Sequence, residues 1–112
     1  MIQVHAGTRD GLLAQISFSG HGLGSPGASP SCAAVSAVAK GLGLALIRSG
    51  RCTVSGDAPA EGYVSLVVEN VSDPQWVSGV WDLTKVTLQE IQREWPHEVA
   101  IVLEELGSSA AG

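Results

Sequence analysis

The stretch Ser29-Pro30-Ser31-Cys32-Ala33-Ala34-Val35-Ser36-Ala37-Val38-Ala39-Lys40-Gly41-Leu42-Gly43-Leu44-Ala45-Leu46-Ile47-Arg48-Ser49-Gly50 decides how the rest of the chain must be arranged. It is rich in Ala, Val and Leu with few polar breaks, which predicts a helix from Ser31 to about Arg48. Both ends are marked. Ser29 suits an N-cap, Pro30 suits the first helical position where a missing amide proton costs nothing, and Gly50 stands where a C-terminal cap is expected. A helix apolar almost all round is expected to be central and buried. Gly41 and Gly43 weaken it intrinsically, so another element is expected to approach closely there.

Working outward, both flanks read as hairpins. Upstream, Ile2 to Ala6 alternates apolar and polar, and Leu12 to Ser19 sets Ala14, Ile16 and Phe18 against Gln15, Ser17 and Ser19. Thr8-Arg9-Asp10-Gly11 joins these two strands, and Asp-Gly is a strong hairpin turn. The segment Gly20 to Pro30 holds four glycines and two prolines and is a loop. Downstream, Arg51 to Ser55 and Tyr63 to Glu69 form a second hairpin around residues 56 to 62, with Val64, Leu66 and Val68 facing inward. Asp73-Pro74 begins a second helix that stops before Pro96, near Glu94. Val99 to Leu103 is a last strand. The order is ββαββαβ, an α+β domain in which a mostly antiparallel sheet of about five strands carries both helices on one face. Residues 1–106 are expected to form one domain and 107–112 a frayed, flexible tail.

Composition narrows the function classes. The chain has 112 residues, 45% hydrophobic and 15% charged, enough apolar surface for one core and too little sequence for two domains. Net charge is −5, and the six basic residues are scattered singly, so direct nucleic-acid binding is not expected. The opening MIQVHAGTRDG does not resemble a secretory leader, and Gly, Ser, Lys or Arg interrupts every apolar run, so no membrane span is expected. A cytoplasmic protein with two free thiols is the expectation.

Under the helix reading Cys32 falls in the first turn, where free amide protons and the macrodipole favour an anion and hence a thiolate. His21 lies at the other end of the glycine-rich loop, which can fold back and bring imidazole to sulfur as general base and acid. The amides of Ser31 and Cys32 are candidates for stabilising an oxyanion, and Ser36, one turn on, points to Cys32's side of the helix. The loop itself is expected to be a mobile lid. On residue types alone the commoner reading stays open, that Cys32 is a small buried hydrophobe in an Ala-rich helix. Cys52, alternating with Val54, reads as a core thiol. His5 and His97 lack ligand-like spacing to either cysteine, and no metal or cofactor is expected. Trp76, Trp81 and Trp95 read as core or dimer contacts. Asp82, Glu90 and Glu94 read as a solvated face.

Ser19-Gly20-His21-Gly22, the glycine-rich loop and Cys32-Ala33-Ala34-Val35-Ser36-Ala37-Val38 together resemble the signature of the ribosomal-processing cysteine protease (Prp) family. Glu90-Ile91 followed by Glu94-Trp95-Pro96-His97-Glu98-Val99 is similar to the family's closing helix and strand. The resemblance implies a homodimeric peptidase that removes a short N-terminal extension from a large-subunit ribosomal protein precursor, with a His-Cys dyad carried over to His21 and Cys32. Family positions for a glycine and a serine carry over to Gly20 and Ser36, and Gly22 and Ser31 beside the dyad complete the candidate supporting or substrate-binding residues. The chain departs from the family where an aspartate usually precedes the cysteine, since Ser29, Pro30 and Ser31 occupy that place, and its loop is one residue shorter. A catalytically silent peptide-binding or ribosome-assembly module with the same fold is the alternative.

Overall fold

A computed structural model describes residues 1–20, 23, 29–58 and 62–107. Among these, five strands and two helices follow in the expected order: β1 (Ile2–Arg9), β2 (Leu12–Ser19), α1 (Pro30–Ser49), β3 (Thr53–Asp57), β4 (Tyr63–Glu69), α2 (Pro74–Glu94) and β5 (Val99–Glu105). The sheet runs β3-β4-β2-β1-β5. Three of its four pairings are antiparallel, and β5 runs parallel to β1 with Ile2 opposite Val99. His21, Gly22, most of the expected lid and residues 108–112 lie outside the described residues.

Asp10 and Gly11 both take positive φ, 56° and 79°, as a two-residue hairpin turn requires, and Arg9 pairs with Leu12 across it. The inward face of the sheet carries Ile2, Val4, Ala6, Ile16, Phe18, Leu66, Val68 and Val99, all buried. Both helices close over it. α2 contributes Val77, Trp81, Thr84 and Leu88, a stripe at helical spacing. Asp73 caps α2 by accepting from the Trp76 amide at 3.2 Å, and Asp73 also pairs with Arg51, whose guanidinium lies 5.1 Å from the Trp76 ring centre. Trp81 is core, whereas Trp76 and Trp95 pack against the core from its margin.

α1 is less enclosed than its composition suggests. Val35, Leu42 and Leu46 are buried, but Leu44 and Ile47 are exposed, Ile47 at 60%. By length and composition α1 is apolar enough to cross a membrane, contrary to the reading that no run in the chain is. Here one of its sides packs against the sheet and α2, the use to which core helices of this composition are put. Of its two glycines only Gly43 meets a neighbour, with the Leu66 side chain 3.6 Å from where a Cβ would sit. Among the described residues nothing comes within 4 Å of a Cβ at Gly41, so the close approach expected there is not found among them.

The second hairpin starts two residues later than its pattern implied. Gly50 caps α1 at φ 68°, the Arg51 amide then donates to Ser49 Oγ at 3.0 Å, and the Arg51 carbonyl accepts from the Ser72 amide. These bonds commit Arg51 and Cys52 to the turn. Cys52 therefore precedes β3 and is half-buried, its thiol 3.9 Å from the Leu46 carbonyl.

Candidate active site

Cys32 is placed by the cap of α1. Ser29 has extended geometry, with φ −60° and ψ 160°, and its carbonyl accepts from the Ala33 amide at 2.9 Å, the first helical bond. Its hydroxyl oxygen accepts from the Cys32 amide at 3.4 Å. Pro30 is the first helical residue, so Cys32 is third, as its sequence context implied. The Cys32 amide is thus turned to the cap, and a substrate oxygen would compete with Ser29 for it.

Cys32 is 8% exposed, and its opening is a pocket of about 270 Å³. Met1 and Ile2 wall one side, Ser29 and Ser31 supply the helix start, and His97 and Glu98 come from the turn before β5. Neither His97 nor Glu98 was singled out for the site from the sequence. They lie more than sixty residues from Cys32 along the chain, and only the parallel pairing of β5 with β1 brings them here. Ser31 is 1% exposed, and its hydroxyl donates to Glu98 Oε1 at 2.7 Å while lying 3.2 Å from Ser29 Oγ.

The chain leaving β2 comes up against Met1 and Ile2, two residues that wall this pocket. A Cβ on Gly20 would sit 2.9 Å from Ile2 Cα and 3.3 Å from the Met1 carbonyl oxygen, so only glycine lets β2 finish this close to the start of β1. The Gly20 amide donates to the Gly62 carbonyl at 2.9 Å, and its carbonyl accepts from Leu23 at 3.1 Å. Gly62 has φ 78°, and a Cβ there would meet the Gly20 oxygen at 2.7 Å. The residue before the candidate histidine is thereby fixed from both sides.

Ser36 lies one turn beyond Cys32 but lines a different depression, a groove of about 580 Å³ walled by Leu23, Ala37, Lys40 and Val64. α1 therefore borders two concavities, a small one of mixed polarity at its first turn holding the thiol and a larger, mainly apolar one holding Ser36. Among the described residues no three His, Cys, Asp or Glu side chains gather in a way that would hold a metal ion.

A thiol in the first turn of a helix, opening on a small pocket in an α+β domain, defines a class of candidate thiol hydrolases. The chain belongs to the cysteine protease Prp family, whose model matches residues 1–100. Among curated proteins no relative matches. Solved structures share the fold: SMU.848 from Streptococcus mutans, 25% identical, covers 94% of this chain and 95% of its own with a TM-score of 0.77. The essential ribosomal processing protease Prp from S. aureus is similar both in complex with a substrate peptide, at 20% identity and a TM-score of 0.77, and with a covalently linked product peptide, at 22% and 0.78. Each covers 92% of this chain and 99% of the other.

Proposed function

We propose that this family member is a cysteine endopeptidase that removes a short N-terminal extension from a large-subunit ribosomal protein precursor, with Cys32 as nucleophile and His21 as general base and acid. The observation that carries the proposal is the seating of Cys32 in the first turn of α1 at a pocket whose wall, Ile2, also supports Gly20, the residue before His21. The Cys32 sulfur, as thiolate, attacks the scissile carbonyl carbon while the carbonyl electron pair moves onto oxygen. The tetrahedral species collapses with cleavage of the C–N bond, and His21 passes the proton taken from the thiol to the leaving amine. Water then hydrolyses the thioester, with the same imidazole accepting its proton and returning one to sulfur. The groove of Leu23, Ser36 and Val64 has the size and apolar lining to take side chains of an extended peptide.

The S. aureus protein was seen with substrate and product peptides, and a peptide partner here follows that likeness. Leu44 and Ile47 on α1 and Leu83 and Val86 on α2 are exposed, Leu83 at 71%, and these apolar side chains support a homodimer; action in the cytoplasm is part of the same proposal. The low exposure of Cys32 favours a second reading, a catalytically silent module that holds a peptide in the same groove. Incubation with the ribosomal protein precursor of the same genome, followed by mass analysis, separates the two. Cleavage products that vanish in Cys32→Ala support the peptidase, and intact precursor after long incubation overturns it.

A further inference from the structure

We infer that Glu98 is a positioning residue for Cys32, holding the first turn of α1 against the start of β5 through a relay of two serine hydroxyls; this rests on the reading of Cys32 as the reactive thiol. The direction of the relay follows from proton counting. Ser31 has one hydroxyl proton and donates it to Glu98 Oε1 at 2.7 Å. In its 3.2 Å contact with Ser29 the Ser31 oxygen can then only accept, so Ser29 donates. A lone pair of Ser29 remains for the Cys32 amide at 3.4 Å. The chain of donors runs from the Cys32 backbone to Ser29, from Ser29 to Ser31, and from Ser31 to the carboxyl group.

The far end of this relay is rigid. The Glu98 carbonyl accepts from the Ile2 amide at 2.8 Å, its own amide donates to the Trp95 carbonyl at 3.1 Å, and the next amide, Val99, donates to that same carbonyl. Glu98 is therefore fixed to the end of α2 and the start of β1 before its side chain reaches α1. Ser31 is 1% exposed, and a buried hydroxyl that loses its acceptor destabilises the arrangement around it. Removing the carboxyl group frees the Ser31 proton, reorients Ser29 and loosens the cap that sets the height of Cys32 in its pocket. A displacement of about 1 Å at a reacting group costs on the order of tenfold or more in rate.

The side-chain amide of glutamine keeps an acceptor oxygen at the same position, so it can replace the carboxylate in this role. The test measures iodoacetamide alkylation of Cys32 and Cys52 by peptide mapping in the full chain and in Glu98→Ala, Glu98→Gln and Ser31→Ala. Amide hydrogen exchange over residues 30–35 is measured in parallel. Glu98→Ala and Ser31→Ala are expected to slow Cys32 alkylation about tenfold and to speed exchange of the first turn, with Cys52 unchanged, while Glu98→Gln restores both to within about twofold of the parent. A glutamine variant as slow as the alanine variant, or an alanine variant like the parent, overturns the inference. If Cys32 in the parent labels no faster than Cys52, the peptidase reading fails. Exchange of the first turn then still decides the relay: restoration by glutamine supports it, and equal exchange in every variant refutes it.

Discussion

Replacing Gly20 and Gly41 by alanine, one at a time, should move stability in opposite directions. At Gly20 the new methyl group meets Ile2 Cα at 2.9 Å, Ile2 Cγ1 at 3.0 Å and the Met1 carbonyl oxygen at 3.3 Å. Two of these atoms are backbone, held in place by the Ile2 amide's bond to Glu98, so the strand end itself must shift. Overpacking of this kind costs about 1–3 kcal/mol, partly offset by the smaller entropy of an unfolded chain with alanine. At Gly41 no described residue lies within 4 Å of the added methyl group and the residue is inside α1, so alanine should stabilise by roughly 0.5–1 kcal/mol. An unfolding entropy of roughly 2.1 cal/mol/K per residue over 112 residues makes 1 kcal/mol worth about 4 °C. Thermal denaturation followed by far-UV circular dichroism at one protein concentration should show Gly20→Ala lowered by about 4–12 °C and Gly41→Ala raised by about 2–4 °C. A Gly20→Ala melting temperature within a degree of the parent would show that β2 does not end tightly against β1, and the argument that this packing aims the chain at the thiol pocket would fall with it.

Cys32 is expected to alkylate at neutral pH at least about tenfold faster than Cys52 although it is the more buried of the two, and His21→Ala should remove the difference; equal rates in the parent would contradict a reactive dyad. Asp73→Ala loses both the cap on the Trp76 amide and the Arg51 partner, and should lower stability by about 1 kcal/mol in urea titration, with no change rejecting the cap as a contributor. Light scattering at micromolar concentration should report twice the 11.5 kDa chain mass, and a clean monomer would remove the homodimer.

The elements were legible wherever their signals were local. Ser29, Pro30 and Gly50 bracket α1 within a residue, and Asp10-Gly11 names its own turn, because caps and tight turns are written in adjacent residues. The start of β3 was not legible, since Arg51 is held in the turn by a bond to Ser72 and the Cys52 thiol lies toward the Leu46 carbonyl, neither of which any alternation of residue types announces. The parallel pairing of β5 with β1 was equally hidden, and with it the arrival of His97 and Glu98 beside Cys32. Cys32 itself stands out from its neighbours by being third in a capped helix. Its company in the pocket depends on tertiary placement, and an acidic residue after Pro96-His97 carries no pattern that would nominate it.

That pairing also fixes when the thiol pocket can exist. Its walls are Met1 and Ile2 at one end and His97 and Glu98 at the other, nearly a hundred positions apart. During synthesis the first hairpin, α1 and the second hairpin can all form while β5 is still unmade, because each is built from neighbouring residues. Ile2 has no Glu98 carbonyl to bind, and Ser31 no carboxyl group, until the last strand has left the exit tunnel. A partly made chain therefore carries Cys32 without its pocket, and the site is complete only once His97 and Glu98 have emerged and β5 has paired with β1.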